Sequence, residues 1–253
     1  MDMTAFQDAP TILAMAASAA IVGLGKGGLA GLGVLAMPVL ILVLPPVQAA
    51  AILLPVLCVS DIVSLAAWWR SWSARTLALM LPGAMAGIGI GWATAALVPE
   101  PAVRLIVGLV AVAFVARWLW LRRGGRTVAA RPHSAPRATF WGAMTGYTSF
   151  VAHAGGPPFQ VYTLPLRLDP RILTGTSVAF FAIVNYAKLV PYFLLGQFDA
   201  TNLAASAALL PVAVLATLAG AWIIRRMRAE VFYPLVYAMT AAMGLKLVWD
   251  GFH

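Results

Sequence analysis

Residues Val151 to Pro158 read VAHAGGPP, a run that cannot form an ordinary helix and yet lies between two strongly apolar segments. Pro157 and Pro158 lack amide donors and disfavour helical geometry before them, and Gly155 and Gly156 open backbone angles closed to other residues. Inside a bilayer such a break persists only where protein or a water-filled cavity satisfies the freed backbone groups. The run is therefore a candidate site. An earlier stretch, Gly23 to Pro38 (GLGKGGLAGLGVLAMP), has the same character. Aligning Pro38 with Pro165 sets Gly28 over Gly155 and Lys26 over His153, so the chain carries the device twice.

Composition gives the setting. The 253 residues are 62% hydrophobic and 10% charged, with a mean hydropathy of +0.90, whereas soluble domains carry roughly 25% charged residues. This is the composition of an integral membrane protein. A net charge of +9 raises the question of nucleic acid, but the basic residues cluster between apolar spans, where the positive-inside rule places them. We read the charge as orientation and expect no nucleic-acid partner. The single cysteine, Cys58, permits no internal disulfide and no thiolate metal cluster, so neither a cofactor nor a metal site is expected. The N-terminal MDMTAFQDAP lacks the basic region and cleavage signal of a secretory peptide, and its retention is the expectation.

Outward from the two breaks, the chain reads as an all-α polytopic membrane protein. Residues 11–44 are apolar but interrupted, which fits a hairpin of short helices, and full spans follow at 49–69, 77–97 and 102–121. The polar, Arg-rich stretch 122–137 then acts as a linker. The order returns with a broken segment at 139–166 and spans at 174–195, 203–224 and 231–249. Pro82 answers Pro211, and Trp120 answers Trp249. We read residues 1–121 and 138–253 as two membrane repeats joined by the 122–137 cytoplasmic linker. Gly83, Gly87 and Gly91 form a small-residue stripe suited to close helix packing.

Counting two embedded pieces and three spans per half makes the second half inverted. The basic loops then agree: Arg70, Arg75, Arg122, Arg123, Arg126, Arg131, Arg137, Arg167, Arg171, Arg225, Arg226 and Arg228 fall on one face. The acidic N-terminus, Glu100, Asp199 and Asp250 fall on the other. Positive charge marks the cytoplasm, which puts both termini outside a bacterial-type inner membrane.

These residues resemble the TauE/SafE family of sulfite and sulfonate exporters, also called the toluenesulfonate uptake permease family. The resemblance rests on the glycine-rich run ending in MPVL at 37–40, the GGPP run at 155–158 with its apolar continuation to Pro165, and the Thr176-Ser177 pair opening the next span. Lys26 departs from the glycine-rich pattern usual in the family's first half. The resemblance implies a secondary carrier, an exporter, of small sulfur-containing anions such as sulfite or organosulfonates.

Discontinuous helices in inverted repeats are where secondary carriers place substrate sites, with half-helix N-termini pointed at anionic groups. Amides near Gly27, Gly28, Gly155 and Gly156 are accordingly candidate anion ligands, and tight helix crossing is the alternative for each glycine. Lys26 is a fixed cation at the position where the second run has the titratable His153. For His153 the bland alternative is a satisfied neutral imidazole, and for Lys26 a stem that snorkels to the interface. Ser177, Phe181, Asn185 and Lys188 share one helical face that we expect to line the cavity. Asp61 lies mid-span, where an unpaired charge is costly, and pairing with Lys188 neutralises both. The pair is then either structural or the coupling site, with His153 a second proton-coupling candidate. Arg104, Arg117 and Lys246 are expected to snorkel, and Trp68, Trp69, Trp72, Trp118, Trp120 and Trp249 to anchor interfaces. An intramembrane enzyme using His153, or an anion channel, remains the alternative. Lipid is the expected surroundings, and the oligomeric state is open, with a homodimer among the options.

Overall fold

A computed structural model describes residues 8–29, 31–44, 46–94, 97–123, 129–194 and 200–252. Asp2 of the acidic N-terminus, Arg126 and Asp199, on which part of the expected orientation rests, lie outside them. The described chain is helical, without strands: α1 (Ala9–Gly27), α2 (Ala36–Leu40), α3 (Pro46–Ala67), α4 (Ala74–Thr94), α5 (Glu100–Arg123), α6 (Ala135–Ala152), α7 (Gly156–Thr163), α8 (Pro170–Leu194), α9 (Ala200–Arg226) and α10 (Ala229–Phe252). Among these residues five helices, α1, α4, α5, α9 from Asn202 and α10, are long and apolar enough to cross a membrane. This is a multi-pass membrane protein. Both segments are broken as expected, but not into hairpins of short helices: each opens with a long helix, α1 of 19 residues and α6 of 18, and only its second piece, α2 or α7, is short.

The ends of α1 follow from local chemistry. Asp8 accepts the amide of Thr11 at 3.2 Å and caps the N-terminus. At the other end Gly28 turns at φ 132°, beyond the reach of most side chains, and its amide donates to Gly25 O. A short 3-10 turn at Leu32–Leu35 leads into α2, which is tied back by Ser18 Oγ donating to Ala36 O.

The chain forms two compact units, and neither follows one half of the sequence. One comprises residues through Arg70 together with Leu189–Arg226, and the other comprises Ser71–Lys188 with Met227–His253. In the first, α1 packs along α9. A Cβ added at Gly23 would lie 2.3 Å from Ala213 O, and one at Gly27 would lie 2.3 Å from Thr217 O. In the second, α4 packs along α6: a Cβ at Gly83 would meet Thr139 O at 2.1 Å and one at Gly87 would meet Ala143 O at 2.1 Å. Gly142 and Gly146 return the contact against Met80 O and Ala84 O. The stripe read as close packing is therefore that, since only glycine lets these backbones touch.

Each unit thus pairs the opening helix of one half with the fourth helix of the other. Buried apolar side chains complete both cores: Met15, Val22, Leu40, Ile52 and Val56 in the first unit, and Met80, Phe159, Phe180 and Val184 in the second. In the second unit α5 also packs against α10 at Gly108 and Gly244.

Candidate functional site

The first break is built around the C-terminal end of α1. Helix termini leave carbonyls without intrahelical partners, and here α3 and the residue just after it supply the donors. Ser64 Oγ donates to Lys26 O at 2.8 Å, and Trp68 Nε1 donates to Gly27 O at 3.0 Å. Lys26 Nζ lies 2.6 Å from Asp61 Oδ1, with the Asp61 side chain only 1% exposed and that of Lys26 17%. Lys26 therefore neither snorkels nor stands alone. Its ammonium offsets a carboxylate that would otherwise be a costly buried charge. The sequence reading did not propose this pairing, because no motif or helical spacing links residues 35 positions apart. The expected Asp61 to Lys188 pair joins residues of different units and stays an expectation. Trp68, expected as an interface anchor, is instead 1% exposed and holds the helix end, with the Arg225 guanidinium 5.3 Å above its ring. Its neighbour Trp69 does face outward.

The second break stacks a helix end on a helix start. The last turn of α6 closes through His153 in a left-handed conformation, φ 51°, with Ala154 N donating to Thr148 O at 3.0 Å. His153 keeps accessible surface at this corner, with protein atoms close around its ring. Helix α7 begins at Gly156, and no side chain caps it. Pro157 and Pro158 bring no N–H to this first turn and Phe159 N already donates to Gly155 O at 3.3 Å, so amides offered here belong to Gly155 and Gly156. Gly155 is also tightly enclosed: a Cβ there would lie 2.8 Å from Ser149 Cβ and 3.2 Å from Phe181 Cε1. A Cβ at Gly156 would meet the flexible thioether of Met243, at 3.1 and 3.2 Å.

Beside this break, Lys188 is buried and its Nζ donates to Ser149 O at 3.1 Å and Ser149 Oγ at 3.0 Å. Lys188 and Phe181 thus bring the predicted face of α8 against the α6–α7 junction, with Asn185 between them in sequence on that face. Ser177 lies two turns earlier on α8, half-buried. Ser149 is the residue the sequence reading left out of the site. Its four-residue spacing from His153 was the available signal.

The geometry is therefore a helix break with two glycine amides, a buried lysine and a histidine in one unit, and a helix end with a partly buried lysine–aspartate pair in the other. Among the described residues no cluster of His, Cys, Asp or Glu could hold a metal ion. The family model described as Sulfite exporter TauE/SafE matches residues 15–247, nearly the whole chain. The chain belongs to the TauE/SafE family. No curated relative and no solved structure matches it. TauE/SafE membership makes this a transporter-family protein of the sulfite exporter type, and the two breaks, with α3 and α8 beside them, all lie within the matched span.

Proposed function

We propose that the protein is a secondary transporter, acting as an exporter, of small sulfur-containing anions such as sulfite or organosulfonates, with alternating access as its mode and the cytoplasmic membrane as its location. The observation that carries this reading is the buried Lys188 ammonium on Ser149 beside the start of α7. A buried cation held on Ser149, which itself packs against Gly155, suits an oxyanion that has shed its water. His153, on the same break, is the candidate for proton coupling. In the other unit, protonation of Asp61 releases Lys26, which makes that pair a second coupling candidate. The correspondence of α1 on α9 with α6 on α4 supports two repeats related by inversion, and positive-inside charge supports external termini.

A carrier exchanges its substrate unchanged, whereas an intramembrane enzyme converts it and a channel shows no exchange acceleration. Purified protein in proteoliposomes, preloaded with unlabelled sulfite or a small organosulfonate, is expected to accumulate external labelled anion transiently against its gradient. Flux that is identical with and without internal anion contradicts the carrier reading, and chemical change of the anion would establish the enzyme.

A further inference from the structure

A cavity of about 260 Å³ opens in the second unit, remote from the Gly155–Gly156 end of α7 and close to its other end. Arg117, Arg131, Arg137 and Arg167 line it, over a floor that includes Trp118 and Tyr237. These arginines come from α5, the stretch before α6, α6 itself and the turn after α7, so the fold gathers charges that the sequence scatters. Their side chains reach the surface, while Trp118 is 8% exposed. Its ring stacks on Tyr237 at 4.0 Å.

The charge here is uncompensated by the unit's own acids. Glu100 pairs with Arg104, Glu230 with Arg228 and Asp250 with Lys246, while Asp169 accepts the amide of Arg171 at 2.9 Å. None of these carboxylates lines the cavity. Backbone contacts hold the basic wall in place: Arg131 N donates to Pro165 O at 2.9 Å, and an Arg137 guanidinium N–H donates to Pro132 O at 3.2 Å. A second, independent sign is the indole Nε1 of Trp118, a buried donor with no hydrogen-bond partner among the described residues. Buried donors are normally satisfied, and four arginines gathered on one cavity attract an oxyanion.

We propose that this cavity is a binding site for a phosphate ester, supplied by the headgroup of an anionic phospholipid. Guanidinium forks match phosphate oxygens, and the apolar walls beside them, including Leu121, Val161 and Leu166, suit the glycerol and first methylenes of a lipid better than a free ion. Basic pockets between membrane helices recognise headgroups in this way. The site is separate from the transport site proposed above, and its test reads binding without transport.

The experiment uses the purified full-length protein in detergent, titrated with phosphatidylglycerol, phosphatidylcholine, inorganic phosphate or sulfite. Native mass spectrometry counts retained lipid, and the thermal midpoint and Trp fluorescence report occupancy. Phosphatidylglycerol is expected to bind and raise the midpoint, with phosphatidylcholine ineffective. The variant Arg131→Gln/Arg167→Gln, altered only at exposed side chains, should weaken that binding by roughly tenfold or more. The control Arg123→Gln/Arg226→Gln, which removes the same charge outside the cavity, should bind like the parent. Stabilisation by inorganic phosphate alone, lost in the cavity variant, supports the phosphate site but assigns its source to the cytosol. Equal binding in both double variants overturns the site, as does a parent that binds neither probe. Protection by sulfite equal to that by phosphate also overturns it, because the cavity is then an entrance for the transported anion.

Discussion

Asp61 shows how much one buried charge demands. Its carboxylate sits at 2.6 Å from Lys26 Nζ in an apolar span, and removing one partner of a buried pair strands the other, at a cost of about 3–5 kcal/mol. Asp61→Asn is therefore expected to lower the thermal midpoint in detergent sharply. The double variant Lys26→Met/Asp61→Asn should recover most of the loss, and a double variant no more stable than the single would contradict the pairing. Outside the membrane spans, His133 lies 3.3 Å from Tyr162 OH, and burial first, then the Arg75 charge, lowers its pKa below 6.5. A lowered folded-state pKa means that the unfolded chain binds the extra proton more readily. Stability from this group is thus present above 6.5 and lost as the pH falls below it. His133→Gln should flatten that acid limb of the midpoint against pH, and an unchanged slope would show that other groups carry it.

At the scale of elements, the prediction concerns α4. Gly87 presses on α6, where an added Cβ would lie 2.1 Å from Ala143 O, while two residues on, Gly89 has nothing within 4 Å. Gly87→Ala should cost at least about 1–3 kcal/mol through overpacking, whereas Gly89→Ala should be neutral or gain up to about 1 kcal/mol in helix propensity. Comparing their unfolding midpoints checks this, and equal midpoints would remove the close-packing account of the stripe. That stripe was legible in the sequence because a four-residue period maps directly onto one helix face. The breaks were legible for a similar reason, since Gly155 to Pro158 cannot continue a helix. The links between elements were not. Nothing in residues 26 and 61 announces their pairing, and Trp68 reads as an interface anchor until the end of α1 is seen beneath it. Local chemistry sets where helices stop, but which side chain meets the stopped end depends on tertiary packing.

For the whole molecule, the units cut across the halves of the sequence, each joining an opening helix to the fourth helix of the other half. A repeat built this way cannot bury α1 or α6 without the other half, so neither half alone is expected to fold. The orientation reading places the stretch before α6 in the cytoplasm. In a Cys58→Ala background, Ala130→Cys should react with an impermeant maleimide only after the cells are permeabilised, and labelling of intact cells would reverse the topology. The central claim is that the buried cation beside the α6–α7 break binds the transported anion. Its most direct measurement is counterflow of labelled sulfite or organosulfonate in proteoliposomes by Lys188→Met, with folding verified by an unchanged elution profile and a cooperative thermal transition. The account predicts that this folded variant loses counterflow while Lys188→Arg, which keeps the charge, retains part of it. Parent-like counterflow by folded Lys188→Met would contradict the account.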